Sequence, residues 1–226
     1  MPGTRAPEEE RREQILSAAH DVAARRGLAD LTIRRVAARA SISSGLVLFH
    51  FKSKDQLLAA LLDRLLETTT VLHVGPEIAA IAAPLDRLVA LLRQEMDRLT
   101  REPRRTRVFF EFWMAGLKSP GVRAKMRREL ARYRAAFRPM AEEALAASPE
   151  RFPGMTPEGL AAVSVGFIKG CAVQQMIDPA GFDAAQFLAA AEGLFAHPSP
   201  TEPTEGGPSV DLPGDRLPME TDADAQ

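Results

Sequence analysis

The stretch SISSGLVLFHFKSKDQL, residues 41–57, has polar ends and an apolar middle interrupted only by Gly45 and His50. Its apolar centre, Leu46 to Phe51, is too short to span a membrane and close to the lower limit for a helix standing alone. Helix-start residues stand on both sides of it. Ser43 and Ser44 precede the apolar run, and Ser53 with Gln56 has the spacing of a capping box for a second helix. A helix this brief must be held by neighbours on one side.

Outward from this stretch the chain reads as helix almost throughout. Upstream, Ile15, Ala18, Ala19, Val22 and Ala23 form a stripe that Gly27 closes as a C-cap. Thr32 opens a short helix to about Ala40, and Leu31 and Val36 are placed to staple its start. Downstream of Ser53, Leu57, Leu58, Leu61, Leu62, Leu65 and Leu66 line one side of a helix that Gly75 and Pro76 are expected to end. Pro84 opens the next, with Leu85, Leu88, Val89, Leu92, Met96 and Leu99 as its stripe. Pro103 marks a break before RRTRVFFEFWMAGL. Ser119–Pro120 then starts a long basic helix to about Ala147, which Pro139 is expected to kink or divide. Thr156–Pro157 starts a helix to about Ile177. Asp183 with Gln186, flanked by Phe182 and Phe187, starts the last, to about Ala196. With no strand-like alternation and no internal repeat, the fold class is all-α, with nine or ten helices.

Composition agrees. Leucine and alanine dominate and only 6% of the 226 residues are aromatic, which favours helix over strand. The single cysteine, Cys171, excludes an internal disulfide framework and fits a reducing compartment. No run of about 18 apolar residues is seen, so no membrane span is expected. The charged opening MPGTRAPEEERREQ lacks the apolar core of a signal peptide, and a cytoplasmic location is expected. The net charge of −1 hides an asymmetry. Residues 197–226 hold seven acids, one arginine and six prolines, the composition of a disordered tail. Residues 1–196 carry the balance, +5, so the folded part is mildly basic. Three domains are expected: 1–55, a helix-turn-helix unit; 56–196, a larger helical domain; and 197–226, the tail.

Three short helices feeding a longer fourth describe a helix-turn-helix. A recognition helix enters a major groove about 12 Å wide, so it must be slender and exposed on one face. Ile42, Val47 and Phe51 can form its inner face, while Ser43, Ser44 and Gly45 suit the groove side, glycine allowing close backbone approach. Residues 11–60, through ILSAAHDVAARRGLADLTIRRVAARASISSGLVLFHFKSKDQLLAAL, resemble the N-terminal DNA-binding domain of the TetR family of bacterial transcriptional regulators. The segment FFEFWMAGLKSPGVRAKMRRELARYR is similar to the corresponding region of the choline-responsive repressors of that family. The resemblance implies a homodimer that binds a double-stranded DNA operator and a small-molecule effector, with the last two helices forming a four-helix dimer interface. By motif position it implies that Arg34 reaches base edges and Thr32 lies near a phosphate. Ser43, Ser44 and Gly45 would then face the groove, and Phe49, His50 and Lys54 would flank the DNA backbone. Two positions depart from the family pattern: Ser41 stands where many members have glycine, and Leu48 where they have tyrosine. Leu48 cannot donate a phenolic hydrogen bond, but it can touch a thymine methyl.

The larger domain speaks less directly. Phe109 and Trp113 share a helical face, Phe112 points elsewhere, and Tyr133 and Phe137 on the next helix could close a pocket. Gly159, Ala162, Gly166 and Gly170 permit close helix approach on the penultimate helix, while Phe167, Cys171 and Gln174 recur at helical spacing as an alternative, inward-facing set. The candidate effector-binding residues are therefore Phe109, Trp113, Tyr133, Phe137, Phe167 and Gln174, with Glu111 a possible charge. An aromatic box would suit a quaternary ammonium, and apolar ligands fit as well. Cys171 reads as an inert packed thiol. The four histidines show no metal-ligand spacing, no phosphate-cradling glycine loop occurs, and no serine has a nucleophile motif, so no metal, cofactor or catalysis is expected. The reading is a ligand-released repressor. Two alternatives stay open: a helical small-molecule binder or enzyme with a vestigial DNA-binding domain, and an architectural DNA binder without effector control.

Overall fold

The computed structural model describes residues 7–67 and 74–196. The described residues form ten α-helices and one 3₁₀ turn, with no strand. In order they are α1 (Glu8–Arg26), α2 (Ile33–Arg39), α3 (Ser44–Phe51), α4 (Lys54–Glu67), α5 (Pro76–Ala79), α6 (Pro84–Arg101), α7 (Pro103–Gly116), α8 (Pro120–Ala147), α9 (Pro157–Ile177) and α10 (Ala184–Ala196).

The starts are set by side chains that satisfy orphan backbone donors. Thr32 accepts from the Arg35 amide at 3.2 Å, Ser43 from Leu46 at 3.1 Å, and Ser53 from Gln56 at 3.1 Å. Thr156 and Asp183 cap α9 and α10 in the same way. Gly27 ends α1 at φ +82°, a left-handed conformation that favours glycine.

Two apolar cores result. The first joins α1–α4: Ile15, Leu31, Val36, Val47, Phe51, Leu57, Leu61 and Leu62 are all buried. The second joins α6, α8 and α9, with Leu88, Leu92, Phe137, Leu160 and Ile168 at its centre. Helix α7 is shared. Its Val108, Phe109 and Phe112 pack into the first core, and Phe110 packs against both.

Five expectations need adjustment or placement. The stretch just before Gly75 and Pro76, where α4 is expected to end, lies outside the described residues; Gly75 and Pro76 themselves open α5, with Pro76 in its first turn, where a missing amide is harmless. Pro139 does not divide α8, which runs unbroken through it. Helix α9 is long and apolar enough to cross a membrane by length and composition, contrary to the expectation that no segment is. Part of its apolar surface, Leu160, Ala161, Val165, Ile168, Cys171 and Ala172, is packed in the second core, where α9 meets α8 and α6. The boundary expected at residue 55 falls inside α4, whose leucines share the first core with α1–α3. The acidic proline-rich tail, with His73 and His197, lies outside the described residues.

Candidate nucleic-acid interface and effector cavity

Helix α3 is anchored by burial along one side only. Val47 and Phe51 are buried, and Ile42 packs partly buried against the same core. Burying a side chain of that size contributes roughly 1.5–3 kcal/mol, which compensates for the shortness of the helix. The opposite side is open: Ser43, Ser44 and Gly45 are exposed, as are Leu48 at 42% and Phe49 at 60%. Two large apolar side chains held in solvent beside a polar helix start mark a contact surface rather than a packing face. A Cβ placed on Gly45 would meet only Ser43 Oγ, at 3.9 Å. Nothing in the chain itself requires glycine there.

The ends of α3 are tied down from α1. The Arg12 guanidinium donates to the His50 carbonyl at 2.7 Å and lies 4.4 Å from the centre of the Phe51 ring. Gln14 donates to the Ala40 carbonyl at 2.9 Å, holding the turn that precedes α3. That turn contains Ser41 at φ +57°, the left-handed region where glycine is favoured. Lys52, just past α3, also has φ +57°, and its ammonium donates to the Phe49 carbonyl at 2.7 Å. Arg12 and Gln14 escaped the sequence reading. Their only signal is polarity on the border of the α1 stripe.

Thr32 is exposed at the start of α2, and Arg34 is exposed two residues on, in the first turn, without an ion pair among the described residues. Its neighbour Arg35 is engaged, donating to the Asp30 carbonyl. Lys54 sits half-buried in the first turn of α4. His50 is half-buried edge-on to Phe49, with ring centres 5.2 Å apart. Its buried Nδ1 has no hydrogen-bond partner among the described residues, so only Nε2 is left to reach outward.

The six candidate effector residues do not form one box. Phe109 and Tyr133 line a common small cavity of about 10 Å³ with Met126, Glu129, Leu130 and Lys169. Trp113 lies on the rim of the first core, 5.6 Å from Phe109 ring to ring. Phe137 is buried in the second core against Tyr133. Phe167 packs on Phe187 and Phe195 in the α9–α10 seam. Gln174 is exposed and lines neither the small cavity nor the open cleft beside α1 and α7; its amide turns back to the Gly170 carbonyl. A helix of period 3.6 brings residue 174 to the side opposite Lys169, which the i, i+4, i+7 count from Phe167 did not separate. Cys171 is buried, and burial raises its thiol pKa.

Around the small cavity lies a charged cluster missing from the sequence reading. Glu95 is buried and accepts from the Tyr133 hydroxyl at 2.8 Å and from Arg98. Burial, followed by the neighbouring Glu95 carboxylate, holds the Tyr133 hydroxyl well above its ordinary pKa. Lys169 is 8% exposed, and burial foremost lowers its pKa to about 8. Burial also raises the Glu129 carboxyl. Signals existed: Glu95 interrupts the apolar stripe of α6, and Lys169 is a lone cation in the apolar run of α9. A separate, open cleft of about 1250 Å³ lies where α1, α7 and the end of α9 meet, lined by Leu28, Arg107, Phe110, Glu111 and Met176 among others. There Glu111 accepts from the Leu28 amide at 2.5 Å, linking α7 to the end of α1.

Comparison with known proteins agrees with this architecture. Residues 15–61 match the sequence model of bacterial regulatory proteins of the tetR family. Residues 84–197, half of the chain, match that of the BetI-type transcriptional repressor C-terminal domain. A transcriptional repressor of Mycobacterium tuberculosis is 46% identical over 74 residues, 32% of this chain and 39% of the relative. The regulator BetI of Stenotrophomonas maltophilia is 31% identical over 110 residues, 49% of this chain and 56% of the relative. The chain thus spans about two-fifths to just over half the length of these relatives. In fold it is similar to a transcriptional regulator of Saccharomonospora viridis solved in complex with choline, with TM-score 0.68 and 21% identity over 84% of this chain and 97% of that one.

Proposed function

Since the chain belongs to the TetR family of bacterial regulatory proteins and carries a BetI-type repressor C-terminal domain, we propose that it is a sequence-specific transcriptional repressor released by a small-molecule effector. The observation that carries the reading is the exposed start of α3, Ser43–Gly45, on a helix whose other side is buried. On this reading Arg34 reads a base edge, worth about 1–3 kcal/mol of discrimination. Thr32 and Lys54 meet phosphates, the latter beside the first amides of α4. Phe49 and His50 flank the backbone, and exposed Leu48 offers apolar contact where a tyrosine hydroxyl would donate.

The working unit is a homodimer, with α9 and α10 forming a four-helix interface. In support, α9 leaves Ala162, Val163, Gly166, Gln174 and Ile177 exposed along one side, and Val163 and Ile177 are apolar. Around Gly166 and Gly170 a Cβ would meet nothing within 4 Å, leaving room for a second helix. Two recognition helices must then match grooves about 34–36 Å apart, and an effector acts by favouring a state in which they do not.

The test is anisotropy titration of the protein into DNA from upstream of its own gene and into a scrambled control, across several salt concentrations. Binding at least about 10³-fold tighter to the upstream DNA is expected. Equal affinity for both would point to an architectural binder, and no binding at either to a ligand-binding protein with a vestigial DNA domain.

A further inference from the structure

Lys169 stands in the position that a cationic ligand would take in an aromatic box. Its ammonium lies 4.4 Å from the centre of the Phe109 ring and 4.5 Å from that of Tyr133. The carboxylates around it are already engaged. Glu95 on α6 accepts from Arg98 and Tyr133, and Glu129 on α8 pairs with Arg132 at 3.6 Å. Lys169 itself, 8% exposed, has no hydrogen bond or ion pair among the described residues. Arg98 stands opposite Glu95, and the half-exposed Arg132 opposite Glu129, so neither carboxylate is held by Lys169 alone. Glu95 and Glu129 act on this buried ammonium only from beyond ion-pair distance, and two ring faces stand where the directly paired anion of such a group ordinarily lies.

We propose that the effector of this chain is an organic carboxylate whose anionic head pairs with Lys169 in the cavity between α7, α8 and α9. The inference rests on the regulator reading for the word effector, but the binding site stands on its own geometry. A quaternary ammonium would have to enter a box that already contains a cation. At neutral pH the side chain is still mostly charged, since its lowered pKa of about 8 lies above 7. The closed cavity, about 10 Å³, has room for one water-sized group. A carboxylate with any apolar body must displace the unbranched Met126 or the half-buried Leu130, both on α8. A ligand that fits only an opened arrangement is one that shifts an equilibrium. Phe109, the ring beneath Lys169, is itself part of the core of the DNA-binding end.

Trp113, the only tryptophan, touches Phe109 and reports on the site without any DNA present. Its fluorescence is titrated with acetate, octanoate, benzoate and phenylacetate, and with choline and 1-octanol as controls, to about 10 mM. Saturable binding of at least one carboxylate is expected, with none of choline. Lys169→Met should weaken that carboxylate about 10- to 100-fold, the loss of one charge-assisted hydrogen bond. Saturable choline binding by the unaltered protein, no carboxylate binding at all, or equal carboxylate affinity in Lys169→Met would each overturn the proposal. Should the variant fail to show a native helical spectrum, the carboxylate against choline comparison on the unaltered protein decides alone. The carboxylate that binds is then added to the protein–operator complex. Release of DNA supports its role as effector. Binding without release, on a protein that does bind operator, overturns that role while leaving the site. Failure to bind any DNA counts against the regulator reading alone.

Discussion

Gly45→Ala separates a residue kept for the fold from one kept for a partner. Gly45 is the second residue of α3, exposed, and a methyl group there would find its nearest protein atom 3.9 Å away. Alanine therefore fits without strain, restricts the unfolded chain and favours the helix by about 0.5–1 kcal/mol. The first turn is less sensitive to propensity than the interior, so the lower half of that range is expected. In a chain of this size it corresponds to a rise in melting temperature of about 1–3 °C. At the DNA surface the same methyl group occupies space that the backbone needs for close approach. An overpacked contact costs roughly 1–3 kcal/mol, or about 5- to 150-fold in affinity. The assays are urea unfolding followed by circular dichroism and operator anisotropy on the same preparation. Stability should rise while operator affinity falls. A rise in stability with unchanged affinity would refute the placement of this turn against DNA, and a fall in stability would mean that the position is crowded in the free chain.

Other substitutions read other parts of the argument. Ser41→Gly relieves a left-handed backbone at φ +57°; after allowance for the extra freedom of glycine when unfolded, it should stabilise by about 0.5–1 kcal/mol in urea unfolding. No gain would mean that Ser41 is not strained. Arg34→Ala should flatten discrimination among operator variants, whereas Lys54→Ala should weaken all sequences alike and lower the salt slope by about one unit; the reverse pattern would exchange their roles. Gly166→Arg projects a charged side chain into space that is open within one copy, so sedimentation should show a folded monomer, and a persisting dimer would place the interface elsewhere. Lys169→Met should raise stability at pH 7 by roughly 1–3 kcal/mol, because a buried ammonium without a directly paired anion is removed. The folded pKa of Lys169, about 8, lies below the ordinary 10.5, so its penalty is full below pH 8 and fades as pH rises toward 10.5. The stability difference between the two proteins should therefore shrink across that window, in the presence of Glu95, Arg98 and Glu129 common to both. A constant difference would show that charge burial is not its source.

The DNA-binding end was legible because its constraints are local. Thr32, Ser43 and Ser53 cap helices through contacts three residues away, and Val47 and Phe51 sit one turn apart on a helix too short to have more than one inner face. The larger domain depends on contacts remote in sequence. Tyr133 meets Glu95 across 38 residues, and Lys169 on α9 reaches rings on α7 and α8. Helical periodicity puts Phe109 and Trp113 on one side of α7 but does not say which of two cores that side meets. Aromatic residues therefore pointed to the small cavity that Phe109 and Tyr133 line, while the charged residues around it went unread. Gln174 shows the other failure: on an apolar helix with two buried sides and one open one, spacing alone does not identify the open side.

The sharing of α7 between the two cores says how a small cavity could be felt at the recognition helix. Phe109 and Phe112 belong to the core of α1–α4, and two residues past Phe109, Glu111 holds the Leu28 amide. Gly27 beside it leaves no slack, for even a Cβ there would lie 3.1 Å from the Glu111 carboxylate. Movement of α7 therefore carries the end of α1 with it. Helix α1 is a rod of 19 residues, about 28 Å long, and near its other end Arg12 and Gln14 hold the carbonyls of His50, in the last turn of α3, and of Ala40, in the turn before α3. A tilt of about 5° along such a rod displaces the far end by on the order of 2 Å. That is enough to spoil hydrogen bonds to base edges, whose useful range spans only about 0.5 Å, in two half-sites at once. The ligand need not reach the DNA-binding surface, and it need not unfold anything; it has only to prefer one tilt of α7 over the other.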